Sequence, residues 1–287
     1  MSELAAPDPL LRRAARFAAH PDFPRAVRTY AHGLARFREA PRLVNLIVST
    51  DVRWRIVGYL NYLNSDRERF GPEGGATYGR LLDLCTRFGE ASPRTVRTLL
   101  ALMQVTGLIR KAAGQDDRRL AFYRPTDRMR AFMRDWLGYA TAALDILEPD
   151  VPRAHRVSDP AFVDAFTVSG GRAYLEDVVP LVDRVPAPFS LLRDMLGGYS
   201  VIVAVLLARI EGVPTPPNRR IAGRFGLSRS QVDRVLQAGR DAGLFASDGA
   251  GSVVPTPALE DSFHRWIALE LAFYAEHMRP PDDPAPG

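Results

Sequence analysis

Two stretches of this 287-residue chain repeat one another in order, and that repetition restricts its fold more than any other feature. Arg87-Phe88-Gly89 recurs as Arg224-Phe225-Gly226. After a one-residue difference in length, Ser92, Val96, Leu100 and Gly107-Leu108 recur as Ser228, Val232, Leu236 and Gly243-Leu244. Pro125-Thr126 and Trp136 then recur as Pro255-Thr256 and Trp266, and upstream Gly58-Tyr59 resembles Gly198-Tyr199 and Phe23 resembles Phe162. The chain therefore divides into an N-terminal arm (1–20), a first unit (21–148), a proline-containing linker (149–159), a second unit (160–279) and a Pro-rich tail (280–287). Each unit has the length of an ordinary domain, about 100 to 200 residues, so each can bury a core.

Apolar spacing within a unit is helical. Residues 43–63 read as one long helix, with a partner over 191–210. Residues 77–88 give a short helix stopped at Gly89, and Ser92-Pro93 opens the next as N-cap and first helical residue, ending at Gly107. Residues 108–109 and 120–123 read as two short strands around a polar tip, and Thr126 caps a last helix through Leu147. The fold class expected is mainly α with short β-hairpin wings, two such units being related by a pseudo-two-fold axis.

In the second unit, Ile221, Ala222, Phe225, Gly226, Leu227, Val232 and Val235 have the spacing of a helix-turn-helix. Ala222 is small enough for the two helices to cross closely, Gly226 permits the turn, and Val232 and Val235 pack the second helix on the first. Arg229, Ser230, Asp233, Arg234 and Gln237 are left pointing outward, a polar face suited to base edges in a major groove. The first unit has the same plan with one more turn residue, and its outward set is Arg94, Thr95, Arg97 and Thr98. The hairpin that follows, with Arg110, Lys111, Arg118 and Arg119, reads as a wing lying against phosphates. The second wing, 247–251, is shorter and has no basic residue.

Charge distribution agrees with this plan. The net charge is +5, but Lys111 is the only lysine, and abundant arginine alone reflects base composition as readily as a nucleic-acid partner. Residues 1–150 hold 24 basic and 17 acidic side chains; residues 151–287 hold 14 and 16. Within that second part, residues 218–240 nevertheless hold six arginines and one aspartate, the concentrated footprint phosphate neutralisation requires.

In these residues the chain resembles a tandem pair of winged helix-turn-helix domains, most like two MarR-type transcriptional regulator units fused in one chain. The resemblance spans about residues 23–278. It implies a body of terminal helices, here 43–63, 127–147 and their repeats, and a monomeric pseudo-dimer or homodimer on double-stranded DNA. It also implies a small-molecule effector pocket between body and winged domain, for which Trp136, Tyr139, Trp266 and Phe273 are the candidates. A sequence-specific regulator, cytoplasmic and nucleoid-associated, is the function expected. Plasmid-type replication initiators and chromosome-condensation accessory proteins also join winged helices in tandem, so an initiator and a protein-binding scaffold are the alternatives.

No enzyme reading fits as well. Some small-molecule methyltransferases begin with a winged helix, but they continue into a nucleotide-binding domain with a glycine-rich loop, whereas a second winged helix follows here. Ser169-Gly170-Gly171 reads as a loop or helix break, and there is no P-loop, nucleophile elbow or paired-carboxylate arrangement. Cys85 aligns with Ala222 and reads as a packing residue rather than a redox sensor. The five histidines lack close metal-ligand spacing, so no metal or cofactor is expected. The longest apolar run, 199–208, is half a membrane span of about 20 residues, and the N-terminal arginines lack the apolar stretch of a secretory signal.

Overall fold

Capping groups divide the apolar stretches more finely than their periodicity suggests. In the computed structural model, which describes residues 8–72, 74–87, 89, 91–114, 120–176 and 187–278, the expected helix 43–63 is two helices, α3 (Arg42–Ile47) and α4 (Asp51–Ser65). Ser49 donates its hydroxyl to the Leu46 carbonyl (2.9 Å), while Thr50 accepts from the Arg53 N–H (3.4 Å). Two hydroxyls thus satisfy backbone groups that a continuous helix would have paired itself. The partner stretch 191–210 is likewise split, into α10 (Ala187–Asp194) and α11 (Gly198–Ile210), at Gly197 with φ of +83°.

Preceding α3 are α1 (Pro9–Ala18) and α2 (Phe23–Phe37). Following α4 are α5 (Arg67–Phe70), α6 (Tyr78–Arg87), α7 (Pro93–Val105), the hairpin β1 (Ile109–Ala113) and β2 (Ala121–Pro125), and the long α8 (Asp127–Leu147). After α9 (Pro160–Glu176), α10 and α11 come α12 (Asn218–Phe225), α13 (Arg229–Asp241), the hairpin β3 (Phe245–Ser247) and β4 (Val253–Pro255), and α14 (Pro257–His277). Among the described residues the molecule is mainly helical with two antiparallel two-stranded hairpins, and the order helix, helix, hairpin, long helix occurs twice. Among the described residues no helix is long and apolar enough to cross a membrane.

One sequence match and one expected helix break do not survive in the structure. Gly58 lies inside α4, whereas Gly198 opens α11; a longer connection carrying α5 separates α4 from the helix pair that follows, so the register slips upstream of it. Gly170-Gly171, expected in a loop, lies in the middle of α9. A Cβ at Gly171 would stand 2.4 Å from the Tyr62 ring, so the glycine serves close contact between α9 and α4, not a break.

That contact belongs to a crosswise arrangement. The first core cluster joins α4, α6, α7 and the β1–β2 hairpin to the start of α8, and α9 closes it with Leu175, Val163 and Tyr174. The second joins α10 to α14 with the later part of α8 and with Phe162 and Phe166 of α9, and α1 and α2 pack on it with Phe17, Phe23, Val27, Tyr30 and Leu34. The early helices therefore bridge the halves, α2 packing on both α8 and α11 and α9 on both α4 and α14, and each buried aromatic or aliphatic side chain contributes about 1.5 to 3 kcal/mol there. The expected arm is the helix α1, docked on α14 and held by Arg13 to Glu148 (2.8 Å) and Glu276 (3.2 Å). The expected linker is fastened too: it forms a 3-10 turn over Ala154–Ser158, and the Asp145 carboxylate accepts the N–H groups of Arg153 (2.7 Å) and Ala154 (2.9 Å). Tail residues 280–287 lie outside the described residues.

A bidentate ion pair pins the crossing of α9 over the first half. Arg172 donates from Nε to Asp66 Oδ2 (2.8 Å) and from Nη2 to Oδ1 (2.7 Å), and Asp66 is 1% exposed. The guanidinium holds the Asp66 carboxyl below the usual aspartate range. The stabilisation is therefore fully present above an unfolded pKa of about 4 and is lost as pH falls through the lower folded value. Arg172→Ala is expected to cost about 2 to 3 kcal/mol in urea unfolding at neutral pH, below the range for an enclosed pair because Arg172 is partly solvated. The difference from the parent chain should shrink on acidification, and a pH-independent difference would contradict the assignment.

Candidate nucleic-acid interface

The α12–α13 pair is set by one glycine and one cap. Gly226 takes φ of +65°, and Ser228 and Gln231 form a reciprocal capping box, Ser228 Oγ accepting from the Gln231 N–H (3.1 Å) and Gln231 Oε1 from the Ser228 N–H (2.7 Å). Val232, Val235 and Leu236 are buried beside Ile221, Ala222 and Phe225, so Arg229, Ser230, Asp233, Arg234 and Gln237 are exposed on the opposite face. They are not equally free. Asp233 accepts from Asn218 Nδ2 (2.6 Å), Gln237 donates to Asp241 (2.8 Å), and Arg234 Nε donates to the Ser230 carbonyl (3.2 Å). Arg229 has no side-chain partner among the described residues; nor do the exposed Arg219 and Arg220 at the start of α12, which the outward-face argument for the second helix passed over.

Around α6 and α7 the arrangement is similar. Ser92 Oγ accepts from the Thr95 N–H (3.2 Å), Pro93 opens α7, and Val96, Leu99, Leu100 and Met103 are buried. Arg94, Arg97 and Thr98 are exposed, with the Arg97 guanidinium over the Tyr78 ring at 5.1 Å. Thr95 is half-buried, and its hydroxyl lies 3.0 Å from that of Ser92, which places it in the cap rather than on the open face. Turn residues Phe88 and Glu90 lie outside the described residues.

Strand β1 runs further than expected, so Arg110 and Lys111 stand on the strand and not at the tip. Arg110 pairs with Arg124, and Lys111 with Tyr123, whose ring lies 5.6 Å from the ammonium. Arg118 and Arg119 lie outside the described residues. The second hairpin has three residues per strand, and its tip is tied by the Asp248 carboxylate, which accepts the N–H groups of Ala250 (3.0 Å) and Ser252 (2.8 Å). An acidic, self-bonded tip offers nothing to a phosphate.

Short α3 connects the two helix pairs. It packs on α7, and the two N–H groups of its Asn45 Nδ2 are shared among three carbonyls, those of Arg38 (2.7 Å), Ala40 (2.8 Å) and, at the end of α12, Phe225 (3.2 Å). Beside it Arg224 bonds Glu39 (2.8 Å). Arg224 is thus a tie between halves and not a free cation.

Of the candidate effector residues, Trp136 and Phe273 line a cavity of about 150 Å³, while Tyr139 and Trp266 line, with Trp136, an adjoining space of about 20 Å³. A buried polar cluster that sequence reasoning missed lies beside them. Tyr199 donates to Asp51 (3.0 Å), Arg55 also bonds Asp51 (3.0 Å), and the Arg38 guanidinium stands over the Tyr199 ring at 4.9 Å. Tyr30 and Tyr274 both donate to Glu270 Oε2, at 2.7 and 2.8 Å. Burial pushes the Tyr30, Tyr199 and Tyr274 hydroxyls well up, which keeps them donors, and it raises the Glu270 carboxyl against those two hydrogen bonds. Asp51–Arg55 and Glu270–Tyr274 are i,i+4 pairs on α4 and α14, but Tyr199, Arg38 and Tyr30 reach them from other helices, which no local motif announces.

No protein-family model, curated protein or solved structure matches the chain. Asn45 offers a direct check on the geometry. Asn45→Ala should cost about 1 to 2 kcal/mol in urea unfolding, because it leaves the Phe225 and Ala40 carbonyls without their donor; a change within error would show that α3 does not fasten the second turn.

Proposed function

We propose that this protein is a sequence-specific double-stranded DNA-binding transcriptional regulator, built by internal duplication from two MarR-like winged helix-turn-helix units with a pseudo-two-fold relation. On this reading α6–α7 and α12–α13 are the helix-turn-helix pairs, α7 and α13 the recognition helices, and the hairpins the wings. The observation that carries it is the pair of second helices, each capped by serine, buried along one face, and presenting on the other an arginine (Arg94 and Arg229) without a side-chain partner among the described residues. The crosswise packing of α2 and α9 supports the pseudo-two-fold relation, since each bridges the two halves. One folded chain then acts as a pseudo-dimer, without catalytic activity, on the nucleoid of a cytoplasm.

Arginine at the start of a recognition helix reaches guanine O6 and N7, and arginine on a wing reaches phosphates. Arg229→Ala and Arg234→Ala are each expected to cost about 1 to 3 kcal/mol for a selected duplex and to relax its sequence preference. Arg110→Ala should weaken all duplexes alike and lower the salt dependence. Unchanged affinity after both kinds of substitution, in a gel-shift titration at fixed salt, would remove DNA recognition by these faces. A genome-wide map of bound sites separates regulator from alternative: scattered promoters for a regulator, one repeat array for a replication initiator, no enrichment for a protein-binding scaffold.

A further inference from the structure

The 150 Å³ cavity is built from both halves of the chain, between α4 and α8 on one side and α9 and α14 on the other. Its walls are aromatic. The Trp54 and Trp136 ring centroids are 4.7 Å apart, those of Trp136 and Phe166 5.9 Å, and those of Phe166 and Tyr274 5.6 Å, with Phe273 beside them. Two carboxylates reach this wall, and they differ. Asp51 is matched by Arg55 at 3.0 Å and by Arg193 at 3.9 Å. Glu270 has no ion-pair partner among the described residues; it accepts two phenolic hydroxyls on Oε2, and none of its hydrogen bonds there uses Oε1. Glu270 keeps some accessible surface and lines both spaces.

We propose that this cavity binds a small organic cation, one aromatic ring bearing an ammonium group, with an N–H on Glu270 Oε1 and the ring among the aromatic walls. Size sets the first limit: an apolar cavity of about 150 Å³ holds a molecule as large as benzene. Aromatic faces attract a cation through their quadrupole, most strongly where water is excluded. A carboxylate without a cationic partner gains more from an ammonium than from a neutral donor. Arg193 stands 3.9 Å from Asp51, and Arg38 lines the adjoining space, so the preference for a cation rests on the open Glu270 Oε1 and the aromatic faces and not on net charge. This rests on the effector-pocket reading of Trp136 and Phe273, which line the cavity, and it is tested without DNA, so its failure leaves the DNA reading untouched.

Benzylamine, benzyl alcohol and benzoate are probes of one size and three charges. They are titrated into the full chain and followed by calorimetry and by tryptophan fluorescence, two of the three tryptophans being wall residues. Saturable benzylamine binding is expected, with benzyl alcohol weaker and benzoate absent. Glu270→Gln should weaken benzylamine about ten- to hundredfold and leave benzyl alcohol little changed. Gly58→Leu is a second variant, at an exposed wall position where a Cβ meets nothing within 4 Å and where leucine favours the helix; it should block both ligands. Absence of saturable benzylamine binding, preference for benzoate, or a benzylamine affinity indifferent to both substitutions would overturn the proposal.

Discussion

Helices α2 and α9 each bridge the two halves, and the rest of the molecule depends on that crossing. Without α9 the first core would expose Leu175's counterparts around Tyr59, Tyr62 and Leu63; without α2 the second would lose Phe23, Val27, Tyr30 and Leu34. Apolar burial is the dominant favourable term in folding. Neither half is then a bead on a string, and the connection between them is packed rather than slack, as the burial of Arg153 at its centre shows. The two helix pairs, α6–α7 and α12–α13, are consequently parts of one frame, with α3 between them.

Polar groups at the crossing give that frame its register. A Tyr–Asp–Arg cluster around Asp51 and a Tyr–Glu–Tyr cluster around Glu270 join the two halves through hydrogen bonds that a slipped packing would leave unmade. Buried ionic groups of this kind are weak sources of net stability, since desolvation offsets most of their attraction. Their cost when unmatched is large, and that is what excludes alternative pairings of two similar halves. Glu270, with one oxygen outside that matching, lines the aromatic cavity.

Local chemistry was legible in the sequence, and tertiary chemistry was not. Ser92-Pro93, Gly226, Ser228 and Thr126 name helix ends because capping and positive φ are decided within a few residues, and Val232 and Val235 name a packed face because helical periodicity does. The cut between α3 and α4 was also local, written in Ser49-Thr50, but the apolar run around it masked the signal. Gly171 could not be read, because the reason for it, the Tyr62 ring, is over a hundred residues away in the chain. Nor could the crossing, the Asn45 tie or Glu270, whose partners come from both halves. Among the outward residues, exposure was foreseeable for Arg229 and Arg234, while the cap that takes up Thr95 became visible only in its geometry.

If one rigid chain holds two unlike recognition helices, the duplex it selects should contain two unlike half-sites at a single spacing, about one helical turn apart on one face. The most direct measurement is affinity for that selected duplex before and after about five base pairs are inserted between the half-sites, which turns them to opposite faces of the DNA. The frame described here is expected to reduce binding of the lengthened duplex to the level of random DNA. Equal affinity for both duplexes would contradict it, since only two independently tethered reading heads could follow half-sites around the helix.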